Sequence, residues 1–268
     1  MQIAENKKDL NVKIITAVTF VIMVAVNALA NILPINGIGT GEVSDSYPNL
    51  FAPAGITFAI WGVIYLLLGA YTLYQFGLFR KERNREREEL FRSIGILFTI
   101  SSVANSIWIF AWHYRMIPIS VLLMGVILVC LILINKKTNW ADLSGSEKLF
   151  VRLPFSVYFG WITVATIANI TALLVDMGWQ GFGLQESIWT ILVIIVGLLI
   201  GAATMIRHRD IPYGLVIVWA YGGILIKHTS EEGFSGDYPS IIMVTTACIV
   251  LLLLGMFRIL TEKRKATR

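Results

Sequence analysis

The residues of this chain best able to do chemistry are tryptophans and asparagines set at helical spacing. Trp61 and Tyr65 stand four apart; Asn105, Trp108 and Trp112 fall at i, i+3 and i+7; Trp161 and Asn169 stand eight apart, with Ala165 and Thr166 between them; and Asn27 and Asn31 form a further pair. Side chains three, four or seven apart share one face of a helix. Indole and phenol rings offer flat apolar faces for stacking, and a carboxamide offers a donor and an acceptor. That chemistry is binding. No nucleotide loop, triad spacing or HExxH is present, and the three histidines are scattered.

The elements that must carry these residues are long and apolar. The chain is 56% hydrophobic and 15% charged with a mean hydropathy of +0.73, more apolar than a soluble domain of 268 residues can bury. From Ala54 to Phe79 there is no charge, and at about 1.5 Å per residue such a run crosses the roughly 30 Å of bilayer hydrocarbon. Eight such spans are predicted, over residues 12–34, 54–79, 93–113, 117–135, 149–175, 187–206, 211–227 and 239–260. The fold class is therefore an all-α polytopic membrane helix bundle.

Charge orients it. With a cytoplasmic N-terminus, 20 of the 22 basic residues fall in inside segments, and only Arg115 and Lys227 fall outside. This alternation satisfies the positive-inside rule and predicts a cell-membrane protein with both termini in the cytoplasm. The net charge of +5 then reflects basic loops against anionic lipid, and nucleic acid is not implied. The run Arg80–Glu89 reads as a solvated extension of the second span. Lys7–Lys13, the apolar run Ile14–Val26 and Ala28-Leu29-Ala30 have the layout of a cleavable signal, but Asn27 and Asn31 suit a retained helix that gives polar groups to a bundle.

Depth adds a further constraint. Asn27, Asn31, Trp61, Tyr65, Asn105, Trp108, His113 and Asn169 all lie from the middle to the outer end of their spans, so a pocket is expected there. Trp179 and Trp189 read as belt anchors at the interface. The outside loop Ile35–Ala52, with turns expected at Asn36-Gly37 and Gly39–Gly41, is either a flexible connector or a lid. No Asp or Glu lies inside a span, which disfavours ion-coupled transport. His113 could serve as an axial ligand or as an interfacial aromatic, and Lys227 could hold a chromophore or snorkel to the surface. Cys130 and Cys248 lie in apolar runs and read as small core residues. Gly197 and Gly201 form a small-xxx-small pair expected to pack within the chain, with a homo-oligomer left open.

Three motifs carry a family resemblance. Pro53, Phe58, Ile60-Trp61-Gly62, Tyr65 and Gly69 resemble the second helix of the TspO/MBR family, the tryptophan-rich sensory proteins related to the translocator protein (peripheral benzodiazepine receptor). SVANSIWIFAWHY, with Asn105 and Trp108, is similar to the family's Asn-x-x-Trp helix. Trp161, Ala165, Thr166 and Asn169 match its Trp-x-x-x-Ala-Thr-x-x-Asn spacing residue for residue. One departure is that Pro154 lies seven residues before Trp161, where the family has Pro-Tyr four before. The resemblance implies a five-helix core over residues 1–178, and the three further spans over 179–268 are a C-terminal extension with no counterpart in that five-helix form. It also implies an apolar planar ligand, a tetrapyrrole such as a porphyrin or haem, or a sterol-like or other lipid. Trp61, Tyr65, Trp108 and Trp161 would stack on it, and Asn31, Asn105 and Asn169 would orient its edges.

Two functions from different classes follow: binding and sensing of such a ligand, or a permease or exporter subunit for a small hydrophobic compound. Partners are the ligand and membrane lipids. The orientation has a direct test. A cysteine placed at position 42 should react with a membrane-impermeant maleimide applied to intact cells, and one at position 84 should be spared. The opposite pattern would invert the topology.

Overall fold

The computed structural model describes residues 2–33, 35–78 and 85–266. Its long helices are α1 (Gln2–Ile32), α3 (Ile60–Gln75), α4 (Arg85–His113), α5 (Ile117–Trp140), α7 (Leu153–Asp176), α8 (Glu186–His208), α9 (Ile211–Thr229) and α10 (Pro239–Ala266). Two short helices, α2 (Thr40–Asp45) and α6 (Gly145–Glu147), complete the set, and no strand occurs among the described residues. Among the described residues, eight helical segments are long and apolar enough to cross a membrane, one for each predicted span.

Several boundaries differ from those read off hydropathy. The second span opens as a 3₁₀ turn over Gly55–Ala59, and its helix ends at Gln75. Residues 85–89 therefore begin α4 and do not extend the second span; residues 80–84 of the charged run lie outside the described residues. Apolar content marks the membrane and not the helix, so polar turns continue α1 and α4 beyond it. Gly41, expected in a turn, lies in the first turn of α2, while Asn36 and Gly37 do take positive φ, 58° and 73°. A π turn over Lys148–Arg152 leads into α7 just before Pro154. Proline lacks an N–H and crowds the preceding turn, and a widened turn accommodates both effects.

The chain divides into two compact units, one of residues 1–40 and 60–159, the other of residues 41–59 and 160–268. In the first, α4 packs on α5 and α1. The α1 contact is close because position 95 is glycine: a Cβ there would lie 3.0 Å from Val12 Cγ1. Thr16 uses the same approach to donate to the Gly95 carbonyl at 3.1 Å. Small residues and hydroxyls are what hold helices together in lipid, where burial of apolar surface gives no net drive. One turn further along α4, Phe98 packs edge to face with Tyr71 and Phe155, which also meet each other so, with centroids 4.8–5.7 Å apart. The polar ends of α1 and α4 are tied by Lys13–Glu88 at 2.7 Å and Arg92–Asp9 at 3.7 Å.

In the second unit α10 packs on α8 and α9. Gly197 and Gly201 pack within the chain as expected, facing Tyr221 and Ile217 of α9. Tyr221 donates its hydroxyl to the Ile194 carbonyl at 2.6 Å. The 3₁₀ segment is strapped to α9 by two bonds: Ala54 N donates to Gly223 O at 3.0 Å, and Trp219 Nε1 donates to Thr57 O at 2.9 Å. The side chain of Thr57 occupies the space that a Cβ at residue 223 would need, whereas a Cβ at Gly222 would meet nothing within 4 Å.

This adjacent pair makes a controlled test. Gly223→Ala should destabilise the detergent-purified protein by roughly 1–3 kcal/mol through overpacking. Gly222→Ala should be neutral or slightly stabilising, since alanine is the better helix former. Thermal melts of the two variants check the difference.

Candidate functional site

In the first unit the predicted polar and aromatic residues come together. Asn27 Nδ2 donates both to the Met23 carbonyl at 2.8 Å and, across to α4, to Asn105 Oδ1 at 2.7 Å. Asn105 Nδ2 in turn reaches the Tyr158 hydroxyl at 3.4 Å. Asn31 extends the chain one turn further by donating to the Asn27 carbonyl at 2.9 Å. Tyr158 meets Trp61 edge-on at 6.0 Å, and Trp61 stacks on Tyr65 at 5.4 Å with an interplanar angle of 21°. Helical spacing puts Trp61 over Tyr65 and Asn27 beside Asn31; the cross-helix bonds then fix where the rings lie.

Trp108 stacks on Trp112 at 5.7 Å and 18°. The Trp112 indole donates to the Thr40 carbonyl at 3.1 Å, while Trp108 Nε1 and the Tyr65 hydroxyl are buried with no hydrogen-bond partner among the described residues. An unpaired polar atom buried in an apolar setting costs on the order of 1–3 kcal/mol. Each belongs to a stacked ring, Tyr65 on Trp61 and Trp108 on Trp112, so each ring carries a polar atom that a ligand could take.

His113 is fully engaged. Its Nδ1 lies 3.0 Å from the Ile35 carbonyl and must donate to it, and its Nε2 lies 3.0 Å from the Thr40 hydroxyl. Neither nitrogen is left for a haem iron, and the ring's work is to hold the start of the 35–52 segment, which Asn36 Nδ2 joins by donating to the His113 carbonyl at 3.1 Å.

Trp161 and Asn169 belong to the second unit and are both buried. Trp161 packs edge-on against Phe58 at 5.8 Å and 80°. The helix carrying them is enclosed over the whole run 154–164. In the same unit Lys227 pairs with Asp45 at 3.2 Å, which accounts for its charge without a chromophore. Trp179 and Trp189, read from sequence as belt anchors, lie together with ring centroids 4.8 Å apart.

Sequence reasoning passed over Tyr158, although it links the amide chain to Trp61. Its signal was available: it stands three residues before Trp161 on the helix that carries the most specific motif. The Asn27–Asn105 bond joins residues 78 apart, and no local pattern announces such a pairing.

A family model described as TSPO-like protein matches residues 13–258. The chain belongs to the TSPO-like protein family. The match continues past residue 178 to 258, so the last three spans of this TSPO-like chain lie inside the family model. No curated protein and no solved structure matches the chain. It is a multi-pass membrane protein by its eight apolar helices and by its family.

The buried amide pair should behave as a coupled unit. Asn27→Leu and Asn105→Leu should each destabilise the TSPO-like protein by about 1–3 kcal/mol, because each leaves a buried partner unsatisfied. The double variant should cost clearly less than the sum, and a double-mutant cycle on thermal melts measures the difference.

Proposed function

We propose that this TSPO-like protein binds and senses a flat apolar ligand with a polar edge, such as a tetrapyrrole or a planar lipid. The cluster in the first unit is the core of the site. The observation that carries the reading is the buried Tyr65 hydroxyl, unpartnered among the described residues, in the Trp61–Tyr65 stack that meets Tyr158 of the Asn27–Asn105–Tyr158 chain; Trp108 Nε1, one helical turn from Asn105 on α4, is a second such atom. A ring system would stack on the indole and phenol faces, and its polar edge would accept from Trp108 or bond to Tyr65. Asn31 and Asn105 hold the surrounding polar groups in place. Trp161 and Asn169 are assigned to ligand binding by the motif they share with the family. The protein sits in the cell membrane with both termini cytoplasmic, the basic-residue partition being the support for that orientation. Residues 1–178 correspond to the five-helix core of the family resemblance.

The sharpest test separates binding from folding at one atom. Tyr65→Phe removes only the orphan hydroxyl, so it should leave the melting temperature unchanged or raise it while weakening porphyrin binding several-fold. Trp61→Phe and Trp161→Phe should also weaken binding with little effect on melting, and Trp140→Phe, at a position 86% exposed, should change neither. Titration of detergent-purified protein followed by the porphyrin absorption band supplies the affinities. Absence of saturable binding, or equal affinity for all variants, would defeat the reading. Ligand-dependent flux in proteoliposomes would move the permease reading ahead.

A further inference from the structure

The turn joining α7 to α8 builds a pocket whose lining belongs to the second unit and whose chemistry is unlike that of the cluster above. Its volume is about 440 Å³, inside the range of small-molecule sites. After Asp176 the chain runs through positive φ at Gly178, Gly181, Phe182 and Gly183, which folds Trp179 back onto Trp189. Gly181 is required there, because a Cβ would stand 2.9 Å from Trp189 Cδ1 in addition to the strain of φ +60°. Phe51 forms part of the pocket lining and is held in place by Asn49, whose Oδ1 accepts from the backbone N–H of Phe51 at 3.0 Å and of Ala52 at 2.9 Å. From α8, Glu186, Trp189 and Thr190 reach the same space, as their i, i+3, i+4 spacing requires.

The polar groups in this lining are distinctive. Glu186 is its single charged residue, and among the described residues its carboxylate makes no hydrogen bond or ion pair. No lysine, arginine or histidine lines the pocket. Trp189 Nε1 is buried and has no hydrogen-bond partner among the described residues. A carboxylate beside indole faces attracts a cation and repels an anion, because the face of an aromatic ring is the negative end of its quadrupole. The pocket also lies at the ends of two spans, where an apolar body can stay in the membrane and a charged head can meet water.

From this we infer that the α7–α8 pocket is a binding site for an organic ammonium ion with an apolar body, its head against Glu186 and the Trp179–Trp189 pair, and an acceptor atom on the Trp189 indole N–H. The same head chemistry is offered by a free amphiphilic amine and by the headgroup of a choline or ethanolamine lipid. The inference does not rest on the porphyrin reading, since it shares none of its residues.

The test uses the full chain in an uncharged detergent, titrated calorimetrically with 4-phenylbutyl-trimethylammonium. Its neutral all-carbon analogue and 4-phenylbutane sulfonate serve as comparisons. The cation should bind saturably and at least tenfold more tightly than either analogue. Glu186→Gln should weaken the cation about tenfold with little change in melting temperature, because the carboxylate supports no fold contact. Trp189→Phe should weaken it several-fold, and Glu232→Gln, in an exposed turn, should not. Dihexanoyl phosphatidylcholine below its micelle concentration distinguishes the sources: displacement of the probe assigns the site to a lipid headgroup, and retention of the probe assigns it to a free ammonium amphiphile. No saturable binding of the cation, equal binding of the neutral analogue, or undiminished binding to Glu186→Gln would overturn the inference.

Discussion

A carboxamide placed in hydrocarbon has no water to turn to, and it must find its hydrogen bonds inside the protein or cost several kcal/mol. The first unit is arranged around that constraint. Asn27 and Asn105, each almost fully buried, face one another across α1 and α4 at 2.7 Å, and their remaining donors go to the Met23 carbonyl and the Tyr158 hydroxyl. Because the bond is directional, it sets the register of the two helices more narrowly than apolar contact could. Tyr158 is fixed by it, and Trp61 and Tyr65 stack next to Tyr158. The hydroxyl of Thr16 on the Gly95 carbonyl, lower on the same helix pair, serves the same end with a smaller group.

The spans were legible in the sequence because apolar length alone defines them, and each predicted run became a helix. Their ends were less legible for the same reason. Hydropathy falls where charge begins, but α1 and α4 continue in polar sequence, where Lys13–Glu88 and Arg92–Asp9 tie them together. Residues 55–59 are apolar enough for a span yet form a 3₁₀ turn, since Ala54 and Thr57 bond to α9. That information sits more than 160 residues away.

The site was legible in part. Periodicity identified Trp61 over Tyr65, and the Asn27 and Asn31 pair, because each is local to one helix. It could not show that Asn27 bonds Asn105, that both ring nitrogens of His113 are occupied, or that Trp179 and Trp189 meet. The last pair was masked by an ordinary expectation for tryptophan near a membrane surface. The stretch 178–183, with Gly178 just before Trp179 and with Gly181 and Gly183 on either side of Phe182, held the clue that the chain doubles back there.

The second unit is discontinuous, joining residues 41–59 to residues 160–268, and this bears on how the protein is made. A ribosome delivers the early segment long before its counterpart exists. The Thr57 carbonyl must wait 162 residues for Trp219, and the Leu50 carbonyl 178 residues for His228, whose Nε2 donates to it at 2.8 Å. Until then these two carbonyls lack the partners that α9 supplies, although the segment already holds local bonds such as those of Asn49 to Phe51 and Ala52. Insertion of α9 is thus a late closing event in biogenesis, and a chain cut after α7 to imitate a five-helix relative would leave the Leu50 and Thr57 carbonyls without these partners for good.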